Sequence, residues 1–428
     1  MLDIELFRNN IDKIIESEKK RFKDYSNAEK VLEYDVKWRD VLGEIQILRQ
    51  KRNEISAQIS KYKKNKENKM VEEAIVESTK IKTQIEELET KKEEYLRKRE
   101  EYRYVVGNLV HESVPFAESE EGNEILREVG KKPQFPFKPV SHVDLIELIG
   151  GANTKKPSEI VGSRFYYLIG DVVSLNLALL KFAVDFLESK GFKPMWTPFF
   201  IKYDIIKAAA ELADFEETLY KIQDEDLYMI ATSEQTLAAY HYDEIIDPDI
   251  LPLKYAGISS CFRREAGAHG KDTLGIFRIH QFEKVEQFIF CKPDQSWEMH
   301  EELISNAEEI YQSLEIPYRI INIASGDLND NAAKKYDLEA WFPASETYRE
   351  LVSCSNCLDY QARKLKIRMG KVGSEEKQTV HTLNSTAIAT ERTICAILEN
   401  FQIEDHSIRI PRILQKYMNG KKVIKSIK

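Results

Sequence analysis

Two strand-like segments, residues 254–263 and 276–291, carry charged and aromatic side chains at alternate positions. Because a β-strand directs every second side chain to the same face, the second segment brings one set together: Arg278, His280, Phe282, Lys284 and Glu286. Arg263 and Glu265 share a face of the first segment in the same way. Such a set of side chains can bind a nucleotide: cations contact the phosphates, an aromatic ring stacks on the base, and carboxylates accept hydrogen bonds from amino groups. The alternation alone leaves a second interpretation open, a lattice of weak surface salt bridges.

One arginine lies where a helix does not normally carry positive charge. Residues 381–402 are typical of a strand that runs into a helix, with Thr390 as the predicted N-cap. Arg392 then falls in the first helical turn, where its charge adds to the positive end of the helix dipole. An anion opposite the helix start explains this placement. The alternative is an ion pair with the neighbouring Glu391.

The motifs of several large enzyme classes do not occur in the sequence. Cys354 and Cys357 form a single C-x-x-C without a second pair at zinc-ribbon spacing, so we expect no structural zinc. The histidines form no HExxH pattern, and no G-x-S-x-G turn supports a serine nucleophile. Neither a dinucleotide-binding G-x-G-x-x-G nor a P-loop is present. These patterns argue against metalloproteases, serine hydrolases, and Rossmann and P-loop folds.

The composition is that of a folded chain without a membrane segment. Of the 428 residues, 42% are hydrophobic and 32% charged, which suits two or three domains. No run approaches the roughly 18 apolar residues that span a bilayer, and the N-terminus does not resemble a signal peptide. Five scattered cysteines fit a reducing compartment, so we expect a cytoplasmic protein. The net charge of −9 argues against indiscriminate binding of nucleic acid.

A long helical hairpin is predicted over residues 38–102. Apolar side chains recur at alternating spacings of three and four in two arms, 38–62 and 71–102, without a proline. The turn between the arms carries five lysines: Lys61, Lys63, Lys64, Lys66 and Lys69. These five lysines, here called the tip lysines, are opposed by one acid, Glu67. The tip is either a solvated turn or a surface that presents positive charge to a polyanion.

The remainder of the chain is predicted to be a linker followed by a domain of mixed helices and strands. Residues 105–160 are rich in proline and glycine, which mark a boundary. Residues 165–169 then predict a strand and residues 171–190 a helix. The two polar strands are joined by a long glycine-containing loop, which favours antiparallel pairing.

Several segments resemble motifs of the seryl-tRNA synthetases, a class II aminoacyl-tRNA synthetase family. Residues 260–288, SCFRREAGAHGKDTLGIFRIHQFEKVEQF, resemble the family's motif 2, and Arg392 lies in its motif 3 arginine position. GFKPMWTPFF at 191–200 resembles motif 1, and ATSEQTLAAYH at 231–241 is similar to the TSE loop that binds serine. Residues 346–368 also fit the family and include the C-x-x-C. The sequence around Arg392 resembles the cytosolic eukaryotic branch of the family more than the bacterial branch.

The resemblance implies a fold and a division of the chain. The expected fold class is α+β, with an N-terminal antiparallel coiled-coil hairpin and a catalytic domain built on an antiparallel β-sheet flanked by helices. Residues 1–110 would form the tRNA-binding domain, with its arm at about 38–102, and 111–160 would form the linker. Residues 161–428 would form the catalytic domain and a basic tail. The lysine-rich tail after residue 416 is expected to be disordered or to add an RNA contact.

The resemblance also implies an activity and partners. The chain would be a serine–tRNA ligase that converts L-serine and ATP, with Mg²⁺, into seryl-adenylate. The seryl group would then pass to tRNA(Ser), and to tRNA(Sec) where that tRNA is present. The helical arm would hold the long variable arm of the tRNA through the tip lysines, and the catalytic domain would form a homodimer.

Site residues follow from the matched motifs. Arg263 and Arg392 would be catalytic, and Glu350 would hold Mg²⁺. The implied L-serine site comprises Thr232, Ser233, Glu234, Arg263, Glu286, Asn384 and Thr386. The implied ATP site comprises Arg263, Arg264, Glu265, Arg278, Ile279, His280, Gln281, Phe282, Glu350, Leu351, Val352, Ser353 and Arg392. One departure is Glu391, an acid where the family usually carries a small or neutral residue; its helix position turns it about 100° from Arg392.

Three other functions compete with an active ligase. A chain with the synthetase fold but without charging activity would lack some of these site residues, whereas all are present. A relative that loads an amino acid onto a carrier protein would lack the full helical arm. A coiled-coil scaffold would not need the motifs after residue 190.

Overall fold

The structure is a computed structural model that describes residues 1–209, 218–265, 274–371, 373–374 and 376–427. The chain divides into two compact units, Met1–Gly107 and Asn108–Lys428. Much of the predicted glycine-containing loop between the two polar strands, residues 266–273, lies outside the described residues. In the described part of the chain, no helix is long and apolar enough to cross a membrane.

The first unit is helical and is dominated by an antiparallel hairpin. Its helices are α1 (Ile4–Asn9), α2 (Ile11–Lys20), α3 (Ser26–Lys64) and α4 (Asn68–Val105). At 1.5 Å per residue, each long helix extends about 57 Å. The alternating spacing buries one seam between α3 and α4, formed by Val41, Ile45, Ile55, Ala74, Ile81 and Ile85. The predicted hairpin is therefore confirmed.

Helix α3 begins at Ser26, upstream of the start at residue 38 that the heptad pattern predicts. The Asp24 carboxylate accepts hydrogen bonds from the backbone N–H of Ser26 at 2.9 Å and from its hydroxyl at 2.6 Å. The first buried positions of the helix are Ala28, Val31 and Asp35. A charged residue at a buried position breaks the apolar periodicity, which explains why the pattern misses this part of the helix.

Asp35 is a fully buried carboxylate that joins three helices. It accepts hydrogen bonds from Nε of Arg8 at 2.8 Å and from a terminal nitrogen of Arg99 at 2.9 Å, and Nε of Arg39 lies 3.1 Å away. Burial alone would raise the pKa of Asp35, but the hydrogen bonds from Arg8 and Arg99 outweigh it and lower that pKa below its ordinary value. The cluster ties α1 and α4 to the base of α3.

The second unit is built on an eight-stranded sheet within the described residues, and only one neighbouring pair of its strands is parallel, at an edge. In order across the sheet, the strands are β1 (Glu124–Val129), β10 (Tyr318–Asn322), β11 (Lys334–Phe342), β12 (Thr347–Asn356), β15 (His381–Ala389), β9 (Gln281–Cys291), β8 (Leu253–Phe262) and β4 (Lys193–Trp196). Shorter strands are β2 (Ala152–Asn153), β3 (Tyr167–Leu168), β5 (Phe200–Ile201), β6 (Tyr228–Met229), β7 (Ile245–Ile246), β13 (Arg368–Met369), β14 (Gln378–Thr379), β16 (Ile408–Arg409) and β17 (Val423–Ile424).

Helices flank both faces of this sheet. They are α5 (His142–Leu148), α6 (Lys155–Ile160), α7 (Asp171–Ser189), α8 (Tyr203–Ala209), α9 (Ser233–Ala238), α10 (Ser296–Ser313), α11 (Tyr360–Lys364), α12 (Thr390–Asn400) and α13 (Arg412–Gln415). The predicted helix at 171–190 corresponds to α7, whereas the predicted strand at 165–169 shrinks to β3. The predicted fold class, a helical hairpin followed by an α+β domain on a largely antiparallel sheet, is confirmed.

Strand β9 shows how the sheet separates core from cavity. Its odd-numbered residues Val285 and Ile289 pack into the main core with α7, α10 and α12. On the other face, Phe288 and Phe290 pack against α8, α9 and α11. Nearer the start of β9, the same face carries the polar side chains of Lys284 and Glu286, which line the cavity described below. The strand begins at Gln281 rather than at 276 as predicted.

The lysine-rich tail is ordered in the structure up to residue 427, which contradicts the expectation of disorder. Strand β17 pairs with β16, and the Ile427 N–H donates to the carbonyl of Leu148 at 2.9 Å. Met418 and Ile424 are buried in the main core. Between the lysines lie apolar residues that are buried or half-buried: Tyr417, Met418, Val423 and Ile424.

We predict that Asp35→Ala lowers the free energy of unfolding of the first unit by about 1.5–3 kcal/mol, because it removes a buried acceptor of charged hydrogen bonds, while Arg8 and Arg99 keep Glu5 and Glu100 as partners. The pKa of Asp35 is lower in the folded state than in the unfolded state, where it is near 4. Asp35 therefore stabilises the fold fully above about pH 4, and this stabilisation is lost as the pH falls through its folded-state pKa. Hydrogen exchange of residues 1–107 in the full chain measures the effect. The control is Asp40→Ala, an exposed aspartate of the same helix; equal effects would contradict the prediction.

Candidate functional site

The polar faces of β9, β12 and β15 and the residues that follow β8 meet in one cavity of about 260 Å³. The predicted site residues that line it are Thr232, Glu234, Arg263, Glu265, Arg278, Ile279, Phe282, Glu286, Glu350, Leu351, Ser353, Asn384, Thr386 and Arg392. Residues from five separate segments of the sequence are therefore brought together. The antiparallel pairing of β9 with both β8 and β15 sets this arrangement, with Thr386 opposite Glu286.

Arginines and aromatic rings line one part of the cavity. The Arg263 guanidinium lies 5.2 Å from the centre of the Phe282 ring, and its Nε donates to the Ala231 carbonyl at 3.2 Å. The Arg392 guanidinium lies 5.1 Å from the centre of the Phe277 ring. Arg278 donates to Glu265 at 3.3 Å. Rings beside cations suit a ligand that carries both a base and phosphates.

Arg392 lies in the first turn of α12 and contacts β12 instead of its sequence neighbour. It donates to the backbone carbonyl of Glu350 at 3.0 Å, and the Glu350 carboxylate lies 3.5 Å away. The Glu350 side chain is 46% exposed; partial desolvation opposes its ionised form, but the charges of Arg392 and Lys335 outweigh this effect and lower the pKa of Glu350. Glu350 is therefore ionised at neutral pH beside Arg392.

Glu391 is buried, also lines the cavity, and bonds to groups other than Arg392. Its carboxylate accepts hydrogen bonds from the Thr390 hydroxyl at 2.8 Å, the Glu283 N–H at 3.1 Å and the Tyr166 hydroxyl. Burial and the charge of Glu283 raise the pKa of Glu391 well above its ordinary value. The alternative of an Arg392–Glu391 ion pair is therefore wrong. The predicted N-cap is also wrong, because Ala389 precedes the helix and Thr390 binds Glu391 and the Glu283 carbonyl.

Two neighbouring carboxylates, Glu234 and Glu286, line another part of the cavity, where the charge of Arg263 reaches both. Thr232 is the N-cap of α9, and its hydroxyl accepts from the Glu234 N–H at 3.2 Å, which places Glu234 in the first turn. Burial and the nearby charge of Glu286 raise the pKa of Glu234 to about 7. Burial also raises the pKa of Glu286, against the opposing effect of Lys284, whose Nζ lies 2.5 Å from that carboxylate. This part of the cavity suits a small ligand with an ammonium or a hydroxyl group.

Five of the predicted residues do not line the cavity. Ser233 is fully buried and donates to the Gly257 carbonyl at 3.4 Å, and Val352 points into the main core. His280 precedes the start of β9, and its Nδ1 lies 2.6 Å from the Arg263 carbonyl. Arg264 and Gln281 are exposed. The strand alternation assumed for His280 fails because the chain is not extended there.

Other residues line the cavity that the sequence motifs do not indicate. Asn329, Asn331 and Ala332 come from the segment between β10 and β11, and Cys357 follows β12. Lys284 could have been assigned to the site, since alternation places it on the face of Phe282 and Glu286. For the asparagines no periodicity or spacing supplies a signal.

We predict that Lys284→Met lowers the free energy of unfolding by about 3–5 kcal/mol at pH 8, because it leaves Glu286 buried without its cation. The loss should shrink towards pH 5, where the carboxylates take up protons and the unpaired charge disappears. Denaturant titration at both pH values measures it. The double variant Lys284→Met, Glu286→Gln should recover most of the stability; no recovery would show that packing of the lysine stem causes the loss.

Two protein families match this chain. The family described as "Seryl-tRNA synthetase N-terminal domain" matches residues 1–110. The family described as "tRNA synthetase class II core domain (G, H, P, S and T)" matches residues 218–401, which contain most of the cavity. In the described part of the chain, no cluster of three or more histidine, cysteine or acidic side chains is arranged to hold a metal ion.

Individual relatives match over the full length. A serine–tRNA ligase from Methanosphaera stadtmanae is 58% identical over 426 residues, covering 100% of both chains. A cytoplasmic serine–tRNA ligase from Arabidopsis thaliana is 49% identical over 98% of this chain and 95% of its own. The crystal structure of seryl-tRNA synthetase from Pyrococcus horikoshii complexed with ATP covers 100% of both chains with 45% identity and a TM-score of 0.96. With both units matched at this level, the chain belongs to the seryl-tRNA synthetase family.

Proposed function

We propose that the cavity carries out both steps of ATP-dependent ligation of L-serine to tRNA. The observation that carries this proposal is a single cavity lined both by arginines beside aromatic rings and by the neighbouring carboxylates Glu234 and Glu286. The arginines and rings suit ATP, and the two carboxylates suit the ammonium and hydroxyl groups of serine. Membership of the family, and the ATP bound by the Pyrococcus horikoshii relative, support this assignment.

The ATP subsite is assigned to the arginines and rings. The adenine would stack on Phe282, with Glu265 accepting from its amino group beside Ile279. Arg278, Leu351, Ser353 and the backbone near Arg264, His280, Gln281 and Val352 would border the nucleotide. Arg263 would contact the α-phosphate and Arg392 the terminal phosphate. A helix N-terminus that also carries an arginine favours an anion at this position.

The serine subsite is assigned to the two carboxylates. Glu286 would bind the ammonium group, and Glu234, Asn384 and Thr386 would surround the hydroxyl. Thr232 would hold the first turn of α9 in place. Buried polar groups of this kind reject alanine, because alanine would leave them unpaired.

Neither chemical step requires a protein nucleophile. In the first, a serine carboxylate oxygen attacks the α-phosphorus, and the bond to pyrophosphate breaks. In the second, a hydroxyl of the terminal ribose attacks the carbonyl carbon, and AMP leaves with the bonding electrons and takes up the proton that the hydroxyl loses. Arg263 would neutralise the charge that develops at phosphorus, and the fixed strands would hold the reactants in line.

Mg²⁺ would bind at Glu350. This carboxylate is ionised and lies 3.4 Å from the Ser353 hydroxyl, which supplies a second oxygen. Mg²⁺ often binds to one or two carboxylates together with substrate phosphates, so the oxygen donors present fit the ion. When bound, it would neutralise phosphate charge.

The hairpin tip is assigned to tRNA binding, through the tip lysines and the long variable arm of tRNA(Ser). All five lysines are exposed, and none forms an ion pair within the described residues. Lysines further along the hairpin do pair, for example Lys51 with Glu77 and Lys98 with Glu94. Unpaired cations on a stiff helical rod suit a phosphate backbone that is recognised by its shape.

The domain division, dimer and location are also proposals. The hairpin unit would be the tRNA-binding domain at 1–110, residues 111–160 a linker, and 161–428 the catalytic domain. A homodimer would cover apolar residues exposed on α7 and at the end of β4, among them Leu177 (60% exposed) and Trp196 (72%). The cytoplasmic relative supports a cytoplasmic location.

Serine-dependent exchange of pyrophosphate into ATP tests the proposed activity, and Arg263→Ala tests the site. We predict exchange with serine but with no other amino acid at comparable rate. The variant should lose exchange by a factor of about 10²–10³, the cost of removing one group that stabilises the transition state. Lack of exchange by the wild type, or an unchanged rate in the variant, would contradict the assignment.

A second experiment separates the arm from the chemistry. Replacing the five tip lysines by glutamine should raise the KM for tRNA and reduce the salt dependence of tRNA binding, because phosphate contacts are lost. Exchange should stay unchanged, since the cavity is untouched. The matched control replaces five hairpin lysines that already have acidic partners: Lys37, Lys51, Lys82, Lys92 and Lys98. Equal effects of the two sets would show that overall charge, rather than the tip, matters.

A further inference from the structure

Gln361 is a fully buried residue of α11, behind the two carboxylates of the cavity. Its side-chain nitrogen donates to Oε1 of Glu234 at 2.9 Å and to the Ala209 carbonyl at 2.9 Å. Its side-chain oxygen accepts from the Thr382 hydroxyl at 2.8 Å. Both donors of the amide are therefore used, and the side chain has one fixed orientation that joins α8, α9 and β15.

Asn384 supplies a second donor to the same oxygen of Glu234. Its Nδ2 lies 3.1 Å from Oε1, and 3.7 Å from the sulphur of Cys357. The two amides together occupy Oε1 and fix the plane of the carboxylate. Among the described residues, Oε2 of Glu234 has no hydrogen-bond partner, and it is not enclosed within the protein. The free oxygen is therefore the one presented to the cavity.

The charges around Glu234 show why its carboxylate needs the hydrogen bonds from Gln361 and Asn384. Glu234 faces Glu286 and Lys284 of β9, Arg263 beyond β8, and the Cys357 thiol. Burial and the charge of Glu286 favour protonation of Glu234, whereas the N–H of Gln361 and the cations oppose it. Removal of the amide would weaken the ionised form and also release the orientation of the carboxylate.

We propose that Gln361 is a positioning residue that directs Oε2 of Glu234 towards the hydroxyl of the substrate and thereby sets the preference for serine over alanine. This proposal rests on the proposed function, in which Glu234 receives that hydroxyl. Gln361 does not line the cavity and acts only through Glu234. Its effect is therefore confined to ligands that carry the hydroxyl, which a general loss of structure would not reproduce.

The test uses two non-hydrolysable adenylate analogues, seryl- and alanyl-sulfamoyl adenosine, which differ only in the hydroxyl. Calorimetry at pH 7 measures their binding to the full-length wild type and to Gln361→Met, which keeps the side-chain length and removes the amide. We expect the seryl analogue to bind the variant about tenfold more weakly or worse, the range for loss of a hydrogen bond to a charged group. The alanyl analogue should change by less than about twofold, because it does not use Oε2.

The pH dependence supplies a second readout. Without the amide the pKa of Glu234 rises above about 7, so the deficit for the seryl analogue should be larger at pH 6.5 than at pH 8.5. The control is Thr382→Val, which removes the bond on the far side of Gln361 and leaves its donor to Glu234 intact. This variant should keep the wild-type ratio of the two affinities.

Equal weakening of both analogues, or no change in either, would overturn the proposal. If Gln361→Met does not fold, Gln361→Asn keeps an amide that is too short to reach Glu234, and the same selective loss is expected. Absence of serine-dependent exchange in the wild type would instead remove the proposed function itself, so the two failures are distinguishable.

Discussion

The burial of two neighbouring carboxylates is the constraint on which the site depends. Glu234 and Glu286 lie in one recess, where desolvation raises the pKa of both and the charge of Glu286 raises that of Glu234 further. A buried charge persists only if it is paired and hydrogen-bonded, so Lys284 lies 2.5 Å from Glu286 and two amides donate to Glu234. These partners come from three different elements, which the sheet must hold rigidly. The packed core on the opposite face of β9 provides that rigidity.

The first unit uses the same physics for a different purpose. Asp35 is also a buried carboxylate, but arginines from two other helices surround it and its pKa falls rather than rises. It is saturated with partners and has no capacity left for a ligand. Residues 44–103 carry sixteen basic and thirteen acidic residues, so the rest of the acidic chain is more negative than its total charge suggests. The positive excess is concentrated at the hairpin tip, where the lysines lack acidic partners.

The periodicity of apolar and polar residues correctly predicted the helical hairpin and the cavity-facing side of β9. The spacing of three and four located the hairpin, and strand alternation placed Phe282, Lys284 and Glu286 on the cavity face. Alternation failed at His280, because β9 begins one residue later. The matched motifs supplied residues such as Glu350, whereas Gln361 and Asn331 gave no signal of their function. Their roles arise from contacts between segments far apart in the sequence, and no local pattern encodes such contacts.

Glu391 shows how helix geometry decouples two neighbouring charges. An acid beside Arg392 in sequence would be expected to cancel the positive helix start. One step along the helix turns the side chain by about 100°, and this places Glu391 in a buried recess with Tyr166 and Thr390. There its pKa is raised well above the ordinary value, which disfavours a negative charge beside Arg392. The acid at position 391 is therefore compatible with the proposed contact between Arg392 and a phosphate.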